Sequence, residues 1–248
     1  MTYCVGMQLR RGLVFMSDTR TNAGVDNIST FRKMHSWEAP GERSIVLLTA
    51  GNLGTTQAVV SHIEERMKAP EDRSLSILDA PSMFQIARIF ANTLKEVIGE
   101  HGPEAQRPDG AFNATLVLGG RIKGNPPRLF MIYPEGNFIE ASDDTPFFQI
   151  GETKYGRPIL VRAYDPEMSF ESAVKLLLVS FDSTIKANLS VGPPIDVKFI
   201  SQVESEPDVH FRIAADDPYF REISLGWGDA LKEALDRLPD FRCGEGPQ

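Results

Sequence analysis

The sequence predicts an α+β fold, a four-layer αββα sandwich formed as one unit over residues 1–242. Three observations carry that expectation. The chain has 248 residues, 42% of them apolar, enough for a sizeable core and too apolar for wholesale disorder. Strand-type and helix-type periodicities come in segregated runs (strands, two helices, strands, helix, strands, helix) rather than alternating as they would around a parallel sheet. Each run has an apolar face that must be covered, and two antiparallel sheets packed face to face, with helices outside both, cover them all.

Tyr3, Val5, Met7 and Leu9 alternate with other residues, the period of a strand. Arg10-Arg11-Gly12 reads as a turn and Leu13 to Met16 as the buried run that follows it. The turn assignment sets Thr2 across from about Arg20, with Asp18 as its diagonal neighbour. A third strand fits Ile28 to His35 and a fourth Ser44 to Ala50.

Asn52 to Lys68 reads as a helix with Thr56, Val59, Val60, Ile63 and Met67 on one face, stopped at Ala69-Pro70. A second helix over Ser82 to Gly99 opens with a Ser82-x-x-Gln85 capping box. Its apolar positions recur at helical spacing from Met83 to Ile98. Gly99 to Gly110, with two prolines and several charges, is the nearest thing to a linker.

Strands resume at Ala114–Leu118, Leu129–Tyr133 and Phe147–Ile150, and Gly119 to Gly124 reads as a hairpin turn. A helix fits Ser169 to Asn188, and strands fit Asp196 to Val203 and Val209 to Ile213. The last helix has Asp217 as N-cap and Pro218 at its first position, with Phe220, Ile223, Trp227, Ala230, Leu231, Ala234, Leu235 and Leu238 as its buried stripe. Residues 243–248 read as a loose tail.

The bulk numbers exclude several functions. A net charge of −8 with interspersed signs argues against nucleic acid as a partner. Cys4 and Cys243 have neither zinc spacing nor a disulfide framework, and His35, His62, His101 and His210 form no metal motif. The start lacks the basic and apolar regions of a signal peptide, and no apolar run approaches the roughly 18 residues of a membrane span. The sequence is therefore expected to be cytoplasmic, without membrane or nucleic-acid partners.

Thr2 is the first residue with chemical promise. A threonine hydroxyl needs an adjacent base, and a chain-terminal α-amino group, with a pKa of about 7.7–8.0 against about 10.4 for lysine, is a suitable one. A small residue after Met1 is what initiator-methionine removal tolerates. Asp18 lies near Thr2 by strand pairing, although an Asp18–Arg20 surface ion pair is the ordinary reading of that segment. Lys33, beside a carboxylate and a hydroxyl, could steady an alkoxide, where a solvated strand lysine is the plain alternative. Gly51, between a strand and a helix, would let a substrate carbonyl approach the backbone, and its N–H could serve an oxyanion hole; turn glycines there are common. Cys4 reads as a half-buried strand thiol.

Thr2, the Ser17-Asp18-Thr19-Arg20 segment, Lys33 and Ala50-Gly51-Asn52, at these separations, resemble the proteasome β-subunit family of N-terminal nucleophile hydrolases. Asp18 to Asp26, Gln149 to Gly156, Asp182-Ser183-Thr184 and Asn188 to Asp196 are similar to its Anbu branch, so the likeness runs nearly end to end. The resemblance implies the αββα fold and peptide-bond hydrolysis of peptide or unfolded-protein substrates. Thr2 would be the nucleophile, Asp18 and Lys33 the supporting pair and Gly51 the oxyanion donor. It also implies self-assembly into rings or open lock-washers, names no unfoldase, and calls for no metal or organic cofactor.

Three departures accompany it. The Thr2-to-Lys33 spacing is one residue shorter than usual. Glu152 follows Ile150-Gly151 where most β subunits have a serine that orients the amine. Asn188-Leu189-Ser190-Val191-Gly192 replaces an Asp-x-x-Ser-Gly pattern. Ser190 and Asn188, with Arg20 nearby and Asp182 behind them, are the candidates for holding the amine. The departures leave two alternatives open, a non-catalytic assembly subunit and an amidase for small amides.

Overall fold

The computed structural model describes residues 2–22, 28–68, 75–101 and 110–241. The tail at 243–248 and most of the Gly99–Gly110 stretch lie outside the described residues. In chain order the first elements are β1 (Tyr3–Leu9), β2 (Gly12–Asp18), β3 (Arg20–Asn22), β4 (Ile28–Thr30), β5 (Met34–Ala39) and β6 (Arg43–Gly51). Then come α1 (Leu53–Lys68), α2 (Met83–Gly99), β7 (Ala114–Ile122), β8 (Arg128–Ile132), β9 (Phe138–Glu140) and β10 (Phe147–Gly151). The chain continues through α3 (Arg157–Ala163), α4 (Phe170–Ala187), β11 (Ile195–Ser201), β12 (Val209–Ile213) and α5 (Pro218–Asp236).

Two five-stranded antiparallel sheets result, one ordered β10-β1-β2-β11-β12 and the other β5-β6-β7-β8-β9, with β3 and β4 as a separate ribbon. Three apolar clusters fill the spaces of a four-layer sandwich. One joins α1 and α2 to the second sheet through Leu47, Phe90, Leu94 and Leu118. One lies between the sheets, with Leu13, Phe15, Val46 and Val117. The third joins the first sheet to α3, α4 and the start of α5 through Val5, Met16, Leu177 and Phe220. The expected αββα architecture is therefore present. Because both sheets are covered on both faces, β2 is buried at every position and not at alternate ones. Cys4 on β1 is likewise wholly buried rather than half-buried.

Local signals place the helices. Ser82 accepts the Gln85 N–H at 3.2 Å, Ser169 that of Ser172 at 3.1 Å and Asp217 that of Phe220 at 3.0 Å, each satisfying an orphan amide of a first turn. Asn52 does the same for Thr55 at 3.0 Å.

Several expectations are corrected. The β1–β2 turn is the pair Arg10-Arg11, and Gly12, at φ 140°, already pairs with Leu9. Cys4 consequently faces Ser17, and the register continued one step further sets Tyr3, not Thr2, beside Asp18. The strand expected over Ile28–His35 is broken at Phe31 to Lys33, where the chain leaves the ribbon for the second sheet. Gly119 to Ile122 continue β7 instead of turning. A Cβ on Gly119 would lie 2.7 Å from Phe15 Cζ, so that glycine lets an aromatic ring of the facing sheet approach. β9, α3 and β3 were not expected at all. The apolar stripe of α5 is buried only at Phe220; Leu235 is 69% exposed and every described residue from Asp229 on is exposed, because the helix runs off α4.

Candidate active site

The predicted site residues converge at one end of the sandwich. Asp18, the last residue of β2, is wholly buried. Its Oδ1 accepts the Lys33 ammonium at 2.7 Å and the Tyr3 N–H at 3.0 Å, and its Oδ2 accepts the Gly192 N–H at 3.3 Å. Lys33, 4% exposed, also donates to the Arg20 carbonyl at 2.6 Å. Lys33 lies just before β5, where its own carbonyl accepts the Thr49 N–H of β6 at 2.9 Å. The ammonium is thus held by Asp18 of the first sheet and Arg20 of the ribbon, while the Lys33 backbone is tied to the second sheet. Burial pushes the Asp18 carboxyl above the ordinary carboxylate range, while Lys33 and the two amides pull it back.

Thr2 is half-buried and precedes β1. Its carbonyl accepts the Glu152 N–H at 2.7 Å, extending the β1–β10 pairing that starts at Tyr3 and Gly151. Gly151 has φ 85°, and a Cβ there would overlap the Thr2 carbonyl oxygen and lie 2.6 Å from its carbon. Tyr3 anchors the same strand end: its hydroxyl meets Ser180 of α4 at 2.7 Å and receives the Gln149 amide at 2.5 Å, and burial pushes the phenol up to about 12. Thr2 is therefore held by its own carbonyl and by its neighbour on each side of the sheet.

Gly51 ends β6 with φ 116°, exposed, and a Cβ on it would lie 2.7 Å from Ala114 Cα. Gly51 and Gly151 both border a cavity of about 360 Å³ that also takes in Ala50, Thr115, Met131 and Ile150.

The remaining candidates form an outer layer. Arg20 does not pair with Asp18; it donates to the Leu189 carbonyl at 3.0 Å and packs on Gly192, where a Cβ would lie 2.6 Å from Nε. Asn188 donates to Glu152 Oε2 at 3.1 Å and accepts the Ser190 N–H at 3.0 Å. Asp182 pairs with Lys186 along α4 and is not part of this layer. Gly192, Tyr3 and Gly151 were not singled out as site residues. Gly151 had a usable signal, a glycine closing a strand directly opposite Tyr3; the Gly192 amide, donated from a distant loop, had none. Among the described residues no group of His, Cys, Asp and Glu could hold a metal ion, and no helix is long and apolar enough to cross a membrane.

The family model for a proteasome subunit matches residues 2–200, a span that includes Thr2, Asp18, Lys33 and Gly51. This chain belongs to the proteasome subunit family. Proteasome subunit beta type-10 of Mus musculus is 27% identical over 202 residues, covering 81% of this chain and 66% of the mouse protein, so the chain spans just under two thirds of that relative. The fold is that of Anbu proteins. Anbu from Hyphomicrobium sp. strain MC1 is 49% identical with a TM-score of 0.88, covering 97% of this chain and 99% of that one. Anbu from Yersinia bercovieri is 46% identical with a TM-score of 0.88 over the same shares. The helical assembly of the Anbu complex from Pseudomonas aeruginosa has a subunit 42% identical, TM-score 0.89, covering 98% of this chain and 100% of that chain.

Proposed function

We propose that this chain is a threonine peptidase of the proteasome type, with Thr2 as nucleophile once Met1 has been removed. The observation that carries the reading is the convergence on Asp18 Oδ1 of the Lys33 ammonium and the Tyr3 amide, directly beside Thr2. A buried ammonium held by Asp18 and the Arg20 carbonyl would, brought to the Thr2 hydroxyl, favour the alkoxide form.

In the proposed reaction Thr2 Oγ attacks a peptide carbonyl while its proton passes to the Thr2 α-amine, directly or through one water. The Gly51 N–H holds the developing oxyanion. The amine then protonates the departing peptide amine as the C–N bond breaks, leaving an acyl ester on Thr2. Water deprotonated by the same amine hydrolyses that ester and restores the hydroxyl. The cavity beside Gly51 and Gly151 offers room for a substrate side chain. Peptides and unfolded segments are the substrates that reading implies.

Assembly belongs to the same proposal. The exposed apolar side of α5 and the helical assembly of the related Pseudomonas aeruginosa complex support association of copies into rings or open lock-washers. The same two observations favour a second reading, a subunit that assembles without robust hydrolysis.

Intact mass, epoxyketone labelling and Thr2→Ala separate the two readings. Met1 absent, one adduct on Thr2 and loss of peptide hydrolysis in Thr2→Ala are expected of the peptidase. A correctly processed chain that takes no adduct overturns it in favour of the assembly subunit.

A further inference from the structure

The side chain of Glu152 is unaccounted for in the chemistry above. Glu152 is 9% exposed, and its main chain is bonded to Thr2 itself, N–H to carbonyl at 2.7 Å. Its carboxyl group accepts one hydrogen bond, from the Asn188 amide at 3.1 Å. Among the described residues no Lys, Arg or His forms an ion pair with it, although twelve other ion pairs do form. A buried carboxylate is ordinarily paired, because desolvation of an isolated charge is expensive. Asn188 is itself fixed by the Ser190 N–H at 3.0 Å, so the carboxyl group is oriented as well as buried.

Asp18, Lys33 and Arg20, which β2, β3 and the segment before β5 bring to this end, are already committed. Asp18 and Lys33 hold each other. Arg20 is turned to the Leu189 carbonyl and packs on Gly192. The processed chain would add a cation within a residue of the Glu152 contact, the α-ammonium of Thr2.

We infer that Glu152, oriented by Asn188, is the counter-ion of the Thr2 α-amine and sets when that amine can act as a base. The inference rests on the reading of Thr2 as a processed N-terminus. Glu152 is a positioning residue in this scheme: it touches no reacting carbonyl, but a carboxylate beside the amine keeps the proton on and moves hydrolysis to higher pH. Lys33 acts in the opposite sense on the amine, and its charge is largely answered by Asp18.

The test titrates the amine and does not depend on turnover. Processed full-length chain is labelled with ¹⁵N-threonine, or released from an N-terminal fusion cut directly before Thr2 should Met1 persist. The α-amine is followed by NMR, and its acylation rate at pH 7 is compared with that of Glu152→Gln. The wild-type amine is expected to titrate above the ordinary value of about 7.7–8.0 and to acylate about tenfold more slowly than in Glu152→Gln, a factor of ten per pKa unit. The acidic limb of any pH–rate profile is expected to move down by the same interval in the variant. An amine titrating at or below the ordinary range in wild type overturns the inference, and that measurement stands even where Glu152→Gln fails to fold. Rates within twofold of each other overturn it too. A raised, Glu152-dependent amine in a chain whose peptide hydrolysis survives Thr2→Ala would retain the counter-ion and refute the peptidase; the reverse pattern would do the opposite.

Discussion

Removal of the Asp18 carboxylate is the sharpest probe of the site. In Asp18→Ala the Lys33 side chain, 5% exposed, keeps its place but loses the carboxylate at 2.7 Å, and the Tyr3 and Gly192 amides lose an acceptor. Breaking a buried pair from one side costs about 3–5 kcal/mol. An upper bound on the lysine part comes from its alternative, release of the proton. At pH 7 that is about 3.4 units below the ordinary lysine value of about 10.4, or about 4.6 kcal/mol at about 1.36 per unit. If the proton is released, a lysine with a lowered folded pKa makes the variant gain stability as pH rises, since the unfolded chain binds the extra proton. The destabilisation should therefore shrink by about 2.7 kcal/mol between pH 7 and pH 9. Urea denaturation at fixed protein concentration measures it at both pH values. Adding Lys33→Met should recover most of the loss. A destabilisation below about 1 kcal/mol that stays flat to pH 9 would mean Lys33 is hydrated, and the dry-pair account of the site would be wrong.

Three further outcomes follow from the same geometry. Tyr3, with its phenol at about 12 in the fold against 10 unfolded, contributes stability that is whole below pH 10 and lost as pH rises to 12, about 2–3 kcal/mol in all. Urea curves from pH 9 to 11 should show Tyr3→Phe lower throughout but with a shallower slope. Gly151→Ala, at φ 85° and with its Cβ against the Thr2 carbonyl, should cost about 1–3 kcal/mol of backbone strain and displace residue 2. The check is an epoxyketone labelling rate at least tenfold below wild type in a chain whose circular dichroism is unchanged. Leu235→Ser on the exposed side of α5 should alter subunit stability by no more than about 0.5 kcal/mol. Leu94→Ala in the α2 core should cost about 2–5 kcal/mol, and paired denaturation curves compare the two.

Much of the fold was legible because its signals are local. The α2 capping box, the Pro218 start of α5 and the alternation of β1 each depend on a few neighbouring residues, and β12 occupies the expected Val209–Ile213. What was not legible depends on partners distant in sequence. The one-residue register difference between β1 and β2 is decided by whether Gly12 belongs to the turn or the strand, and its approach to Ile200 of β11 decides it. Gly119 reads as a turn residue until Phe15 of the facing sheet is set against it. The α5 stripe has helical period whether or not another surface covers it. At the site, Thr2, Asp18, Lys33 and Gly51 were legible as residue types at telling separations. The Gly192 amide and the Glu152–Asn188 contact were not, because each joins segments more than thirty residues apart.

The placement of Asp18 and Lys33 also says why such a site can be intact only in a fully docked fold. Asp18 ends a central strand of the first sheet, whereas Lys33 is tied by its carbonyl to β6 of the second. The pair therefore spans the gap that Leu13, Phe15, Val46 and Val117 fill. A second lysine makes the reverse crossing, Lys198 of β11 reaching Glu38 of β5. The two ties differ in solvent. Glu38 is half exposed, so water screens that pair from the carboxylate side, although the Lys198 ammonium is itself buried. Asp18 and Lys33 are both dry, so their attraction is unscreened but must first offset the desolvation of two ions. An apolar pair of similar size at 18 and 33 could stabilise the interface as well or better, as replacements of buried ion pairs often do. That the sandwich instead keeps a dry ion pair at this position, with Asp18 bonded to the Tyr3 amide where β1 begins, agrees with the catalytic role proposed for it.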